Sequence, residues 1–323
     1  MSKILKDVRG GFELPWRSKK QENLVYANYL NELGYLKAKN VKECGEVLQF
    51  VRDDNGQLKL HNTWFCKSRL CPMCAWRRRL KLVTETSTIL DRALLADPKS
   101  EFLFLTLTLK NAELGDLKVV LQKLHKGFYR LMKYKRVTKI TKGYIRSTEI
   151  TINRKTKQYH PHLHVMLMVP KEYSIRKQYK RYVPQEEWVA LWRRALQIDY
   201  DPVVNIKKVR ARRRKSGTES GELAAAKEVA KYQVKSNEYL TGQVKSDLVY
   251  LDELESALRN TRQFGYGGLL KEIRQQLLDE EETKNGKQKL EHIESELEDD
   301  EIPRPTIMFK WAWALSNYIE FKN

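Results

Sequence analysis

Short apolar runs bounded by polar residues recur in the middle of the chain. Four of these runs predict β-strands, at 102–110, 144–152, 162–169 and 203–209. Between and after them, apolar residues are spaced three and four positions apart, which is typical of amphipathic helices. Such helices are predicted after a capping Asp116, at Trp188–Leu196, and from Glu222 to about Lys235. The resulting order is that of a ferredoxin-like βαββαβ unit, so we predict an α+β fold whose antiparallel sheet has helices on one face and a site on the other.

The second and third strands are predicted to form an antiparallel hairpin around polar residues 153–158. If the turn is centred between Lys155 and Thr156, Glu149 lies directly opposite His162. Partners across a strand pair share a face of the sheet. The predicted register therefore brings a carboxylate to the histidines that open the third strand.

Three histidines stand at the start of that strand. His162 and His164 point to the same face and are ~6.6 Å apart along the strand. His160 shares the face but lies ~13 Å from His164, too far for all three to bind one ion. Two imidazoles and Glu149 favour a half-open site for a divalent ion, with room for a phosphate oxygen. The alternative is a set of surface histidines at the start of a strand.

The four cysteines are confined to a segment of 31 residues and suit one tetrahedral zinc site. Cys71-Pro-Met-Cys74 is a CxxC knuckle, Cys66 precedes it, and Cys44 is the far ligand, a place that His61 could also take. Reduced, buried cysteines or a redox pair are the alternatives. Basic residues 77–79 follow the knuckle directly, and a basic loop held rigid by zinc would suit DNA phosphates.

The charge distribution indicates a polyanionic partner. The net charge is +20, although residues 279–301 hold eleven acidic residues against three lysines. The tract 207–215 has seven cations in nine residues and would suit a path for phosphates, the alternative being a charged loop. We predict a zinc-binding, DNA-contacting segment at 1–95, a catalytic domain at 96–270, and a helical, acidic C-terminal extension at 271–323.

Membrane insertion and secretion are not expected from the sequence. No run approaches the ~20 apolar residues of a membrane span, and the N-terminus has no apolar core of a signal peptide. We therefore expect a cytoplasmic protein, in a compartment where cysteines stay reduced or bind metal.

The third predicted helix carries a candidate nucleophile. Glu228 and Tyr232 are four residues apart, on one helical face, and Lys235 lies near that face. A tyrosine oxygen beside a metal-bound phosphate can act as a nucleophile and a neighbouring carboxylate as a base. Tyr239, about two turns further on, is the competing nucleophile.

Three motifs in this order resemble those of the HUH endonucleases, and more narrowly those of rolling-circle plasmid replication initiators with a single catalytic tyrosine. The motifs are 103-LFLTLT-108, 160-HPHLHV-165 and 228-EVAKYQVK-235. The resemblance covers roughly residues 44–270. It implies metal binding by His162 and His164, attack by Tyr232, and a role for Glu228 in terminating replication.

The activity that this resemblance implies is the nicking of one strand at a plasmid origin. It would use Mg²⁺ or Mn²⁺ and yield a 5′-phosphotyrosyl link and a 3′-hydroxyl primer. Duplex and single-stranded origin DNA and the host replication machinery are the implied partners, and a homodimer is compatible with them. A host helicase is expected because the chain has no P-loop. The alternatives are a conjugative relaxase, a single-tyrosine transposase, or a zinc-dependent repressor without catalysis.

Overall fold

The structure is a computed structural model that describes residues 3–174, 181–210, 212–214, 217–231, 234–285, 296 and 305–321. The chain divides into two compact units. The first comprises Met1–Arg78, Leu240–Leu248 and Leu278–Asn323; the second comprises Arg79–Tyr239 and Val249–Leu277. The division of function among 1–95, 96–270 and 271–323 stays a prediction.

The helices and strands have the following bounds. The α-helices are α1 Trp16–Glu32, α2 Ala38–Glu43, α3 Pro72–Ala96, α4 Leu117–Leu131, α5 Lys135–Thr138, α6 Gln185–Leu196, α7 Gly221–Val229, α8 Ser236–Tyr239, α9 Val244–Leu258 and α10 Leu269–Asn285. The strands are β1 Val8–Arg9, β2 Phe12–Glu13, β3 Val47–Arg52, β4 Leu58–Thr63, β5 Ser100–Thr108, β6 Ala112–Glu113, β7 Gly143–Asn153, β8 Gln158–Pro170, β9 Val204–Lys208, β10 Arg212–Arg214, β11 Gly217–Glu219, β12 Phe264–Gly268, β13 Ile307–Ala312 and β14 Asn317–Phe321. Short 3₁₀ turns lie at Lys171–Ser174 and Trp313–Leu315.

The second unit contains the predicted ferredoxin-like sheet. Its strands run in the order β12-β7-β8-β5-β9, each antiparallel to its neighbour, and β6 also pairs with β8. Helix α4 connects β5 to β7, and α6 connects β8 to β9. The α+β class and the βαββαβ order are therefore confirmed, and β12 extends the sheet beside β7.

The turn of the β7–β8 hairpin is centred where the sequence predicts. Asn153 pairs with Gln158, so the centre falls between Lys155 and Thr156. The Asn153 side-chain oxygen accepts hydrogen bonds from the backbone N–H groups of both turn residues, at 3.1 and 3.2 Å. An asparagine that bonds to its own turn in this way fixes the loop length, and the loop length fixes the strand register.

Helices cover both faces of this sheet, so the prediction of helices on one face is wrong. On one face, α4 and α6 pack over Leu103, Leu105 and Leu107 and their neighbours. On the other, parts of α3, α7 and α10 pack over Phe102, Met166 and nearby side chains. The reason is visible in the strands, because β5 and β8 are apolar at consecutive positions and so need cover on both sides.

Two helix ends also differ from the prediction. Asp116 occupies the N-cap of α4, but its side chain makes no capping bond; Glu253 accepts from the backbone N–H of Leu117 at 3.0 Å instead. Helix α7 ends at Val229, about six residues before the predicted end near Lys235. The carbonyl of Lys231, which a continuing helix would use internally, accepts a hydrogen bond from the Gln263 side chain at 3.2 Å. Tertiary contacts thus override the local helix propensity.

The first unit is built on a sheet that joins distant parts of the sequence. Its strand order is β14-β13-β3-β4, all antiparallel, so β13, which lies far along the sequence, pairs with β3, and β14 pairs with β13. The C-terminal extension is helical as far as the end of α10, and the two strands that follow were not predicted. Behind the sheet, the Trp16 ring packs edge-on against Trp76 at 4.7 Å and Phe50 at 5.7 Å. Among the described residues, no helix is long and apolar enough to cross a membrane.

Candidate active site and cysteine cluster

Two histidines and one glutamate converge on the sheet of the second unit. The structure pairs Glu149 with His162, as the hairpin register predicts. Glu149 Oε2 lies 2.7 Å from His164 Nε2 and 3.2 Å from His162 Nε2, and the two nitrogens are 3.1 Å apart. Ligand atoms about 2.1 Å from one ion are roughly 3.0–3.4 Å apart, so this spacing suits a shared divalent ion.

Nδ1 of each imidazole lies within hydrogen-bonding distance of a neighbouring oxygen. His162 Nδ1 lies 3.3 Å from the carbonyl oxygen of His160, and His164 Nδ1 lies 3.4 Å from Thr106 Oγ1. A carbonyl can only accept, so with its proton on Nδ1 His162 would donate to that carbonyl and present a lone pair at Nε2 to a metal. The arrangement therefore orients the ring for metal binding.

His160 stands apart from this group, as its spacing along the strand predicts. Its Nδ1 lies 2.6 Å from Asn111 Oδ1. Only His162 and His164 share a candidate metal cluster with Glu149 in the part of the chain that the structure describes. Of the three histidines, His162 and His164 are therefore candidate metal ligands, and His160 lies beside the cluster.

Two lysines approach the buried carboxylate from the segment that follows α7. Lys231 Nζ is 3.8 Å from Glu149 Oε2, and Lys235 Nζ is 3.7 Å from Oε1. Burial alone would raise the pKa of Glu149, but hydrogen bonds from His162 and His164 and the charge of Lys231 hold it well below its ordinary value. Glu149 is therefore ionised, as a metal ligand must be.

Glu228 lies near the end of α7 and forms an ion pair with Lys231. Lys231 thus stands between Glu228 and the carboxylate of Glu149. Tyr232 lies outside the described residues, three positions after Val229, where α7 ends. The competing Tyr239 is 1% exposed, so its hydroxyl is poorly placed to meet a DNA strand.

The four cysteines form one cluster in the first unit. Cys44 Sγ lies 3.5 Å from Cys74 Sγ and 3.7 Å from Cys71 Sγ, and Cys66 Sγ lies 3.6 Å from Cys74 Sγ. None of the four is in a disulfide. The cluster includes Cys44, and the exposed His61 is not part of it. Tetrahedral zinc, with sulfur at ~2.3 Å, requires sulfur separations of about 3.8 Å, close to those observed.

The surroundings of the cluster favour sulfur in its ionised form. Asn23 Nδ2 donates to Cys71 Sγ at 3.3 Å, and the backbone N–H of Cys66 donates to Cys44 Sγ at 3.4 Å. Lys20 is fully buried, and its ammonium group donates to the carbonyl oxygen of Cys44 at 2.8 Å. Without a cation, burial raises the pKa of the Cys44 thiol well above its ordinary value. Four thiolates on one divalent metal carry a net negative charge, and the nearby donors and the buried ammonium group of Lys20 would stabilise it.

The basic residues after the knuckle lie on helix α3, so the prediction of a basic loop is wrong. Arg77 points into the protein, where it is 5% exposed and binds Glu296 Oε1 at 2.6 Å. Arg78 donates to the carbonyl oxygen of Ser68 at 2.5 Å. Pro72 at the first helical position explains the difference, because proline there favours a helix start. In the tract 207–215, residues 211, 215 and several side chains lie outside the described residues.

Sequence reasoning missed the residues that surround the candidate ligands. Thr106, Lys231 and Lys235 are brought there by β5 and by the segment after α7, and nothing in their own spacing reveals it. A usable signal did exist, because Thr106 lies inside the motif 103–108 and both lysines lie inside the motif 228–235. Their contacts with His164 and Glu149 nevertheless required the tertiary structure.

Comparison with known proteins identifies close relatives over nearly the whole chain. A family model described as Replication protein (Rep_1) matches residues 57–319, which begins inside the region 44–270 that carries the resemblance and continues beyond its end at residue 270. A protein named Protein rep from Lentilactobacillus hilgardii is 45% identical over 325 residues, covering 98% of each chain. One from Lactiplantibacillus plantarum is 45% identical over 322 residues, covering 98% of this chain and 99% of the relative. One from Streptococcus pneumoniae is 39% identical over 281 residues, covering 85% and 83%. No solved structure matches the chain.

Proposed function

The chain belongs to the Rep_1 family of replication proteins, and on that premise we propose that it initiates rolling-circle replication of a plasmid by nicking one strand of the origin DNA. The observation that supports this proposal most directly is the convergence of His162, His164 and Glu149 on one point of the sheet. The net charge of +20 supports a nucleic-acid substrate.

The two imidazole nitrogens and the carboxylate would hold a divalent ion such as Mg²⁺ or Mn²⁺. When bound, the ion would polarise the scissile phosphate and stabilise the charge that develops on it. The two histidines would contribute neutral ligands and Glu149 an anionic one, and Lys231 and Lys235 add positive charge beside the same carboxylate. Those two lysines would also attract the phosphates of the strand.

Tyr232 is the proposed nucleophile. Its oxygen attacks the scissile phosphorus, the bond from phosphorus to the 3′-oxygen breaks, and that oxygen takes up a proton to become the 3′-hydroxyl primer. The 5′ phosphate remains linked to the tyrosine. Two observations support the choice: Tyr232 lies in the motif 228–235, and Lys231 and Lys235, on either side of it in sequence, both approach Glu149.

Glu228 is the proposed base for termination. With a single tyrosine already occupied, the second cut would be a hydrolysis in which the carboxylate takes a proton from water. The alternative, a surface pair with Lys231, has support in the ion pair that the structure contains. Glu228→Gln separates the two: a base predicts normal first nicking and accumulation of multimeric single strands, whereas a surface pair predicts that both steps stay normal.

The experiment that tests the proposal is incubation of the protein with supercoiled plasmid of its own replicon. We expect nicked plasmid with protein attached to the 5′ end, loss of nicking with EDTA, and recovery with Mg²⁺ or Mn²⁺. His162→Ala and His164→Ala should each abolish nicking, and His61→Ala, at an exposed histidine outside the cluster, should not. Nicking that survives both site variants would refute the metal centre. DNA binding without any covalent adduct would favour a non-catalytic repressor.

The first unit is proposed to hold a structural zinc ion on Cys44, Cys66, Cys71 and Cys74 and to contact origin DNA. Its role would be separate from the chemistry on the second unit. Zinc bound there would stabilise the connection between helix α3 and the segment around Cys44. A host helicase would separate the strands.

A further inference from the structure

A cavity of about 510 Å³ opens next to the candidate metal centre in the second unit. Phe104 and Thr106 on β5 and Asn205 and Lys207 on β9 form its floor, and the first two turns of α7 form a wall. The connection to the centre is direct, because Thr106 Oγ1 contacts His164 Nδ1 at 3.4 Å and the Phe104 ring lies 5.4 Å from the His164 ring. Its volume lies within the range of roughly 300–1,000 Å³ of small-molecule sites.

The cavity exists because of the sequence of α7. Four residues of the helix line it: Gly221, Ala224 and Ala225, which carry no side chain beyond Cβ, and Glu228 at the end nearest the proposed nucleophile in sequence. Ala225 and Val229 also pack against the core, which holds the helix close to the sheet. Larger side chains at these positions would fill the space, so the run of small residues keeps it open.

The chemistry of the lining suits a single nucleotide. Phe104 offers a flat apolar face, and the Asn205 amide offers a donor beside an acceptor, the pattern that reads the edge of a base. Lys207 and Arg210 are exposed cations on the same side, where a phosphate could reach them. No described residue forms an ion pair with either cation.

We propose that this cavity receives one unpaired base of the DNA strand next to the scissile phosphate and so helps to set the position of the nick. The inference rests on the proposed nicking function. A cavity of this size has room for one nucleotide but not for a stacked base pair, so the strand must be single at this point. Asn205 would read the base and Phe104 would contact its face.

The test uses single-stranded oligonucleotides that span the nick mapped on the plasmid, each lacking the base at one position. For the wild-type protein, we expect one position beside the nick at which the missing base slows cleavage about tenfold, since contacts to a base face are strong. In Ala224→Leu, which narrows the cavity, the complete oligonucleotide should be cut about tenfold more slowly. Ala224→Leu should cut the oligonucleotide that lacks the base at the same rate as the wild-type protein cuts it.

Two further variants keep the result interpretable. Glu222→Leu adds a side chain of the same kind to α7 without lining the cavity, so it should behave as wild type. Asn205→Ala adds no bulk and lies at an exposed position, so it should fold normally and lose the preference among bases at that position.

The inference would be overturned if, at every position, the missing base reduced the cleavage rate by the same factor in the wild-type protein and in Ala224→Leu. If the wild-type protein nicks neither the plasmid nor single-stranded oligonucleotides of the origin sequence, the proposed nicking function has failed, and the cavity is then tested by binding of those oligonucleotides. Fluorescence anisotropy should show tighter binding of the complete oligonucleotide than of the one lacking a base, with the difference lost in Ala224→Leu. If the missing base weakens binding equally in the wild-type protein and in Ala224→Leu, or in neither, the proposed role of the cavity is refuted independently of nicking.

Discussion

Replacing one cysteine of the cluster tests whether it is a metal site that supports the fold. Cys71 is the best position, because it is fully buried and its sulfur accepts a hydrogen bond from Asn23. The observed sulfur separations of 3.5 to 3.7 Å belong to a tetrahedron whose centre lies about 2.1–2.3 Å from each corner. That radius matches the zinc–sulfur distance, so zinc can bind with almost no movement of the chain.

The expected energetic effect is large. Structural zinc contributes about 10–16 kcal/mol of apparent binding free energy in small domains, which is roughly 3 kcal/mol for each of four ligands. Cys71→Ser should lower the free energy of unfolding by about that amount at saturating zinc. For a unit of this size, the midpoint of thermal unfolding should fall by about 10 °C.

The assay combines metal analysis with thermal unfolding. Purified wild-type protein should contain one zinc per chain, and chelation should lower its unfolding midpoint at least as far as Cys71→Ser does. Met73→Leu is the matched control, because Met73 is fully buried in the same turn but is no ligand, and it should keep both the zinc and most of the stability. Stable, active wild-type protein without zinc, or Cys71→Ser with unchanged stability, would refute the reasoning.

Two other predictions concern ionisable groups that the fold shields from solvent. Burial and the charge of Arg146 lower the pKa of His125 to about 4, so between pH 6.5 and 4 the unfolded chain binds a proton that the folded chain does not. The free energy of unfolding should therefore fall by up to about 3 kcal/mol as the pH drops through that window. In urea titrations at several pH values, His125→Gln should weaken this dependence on pH, whereas His61→Gln, at an exposed site, should leave it unchanged. Glu296→Gln leaves the buried Arg77 without its carboxylate and should lower the free energy of unfolding by about 3 kcal/mol. Asp201→Asn removes the carboxylate of an ion pair at a side chain that is 68% exposed, and an equal loss of stability there would contradict the argument from burial.

The sequence by itself determined the local features of this protein. The apolar runs located the four central strands, and their order with the helices gave the βαββαβ arrangement. The length of the polar loop and the period of two along a strand were enough to pair Glu149 with His162, since register in a hairpin follows from its turn. The cysteine spacing likewise identified a cluster that includes Cys71 and Cys74.

Only the tertiary structure decided which distant residues meet. It paired β13 with the distant β3, and it ended α7 at Val229 by giving the Lys231 carbonyl a partner on a remote segment. It also set Lys231 and Lys235 beside Glu149 and turned Arg77 inward to Glu296. Contacts of this kind depend on how helices pack on a sheet and on which buried charges find partners, and no short stretch of sequence carries that information.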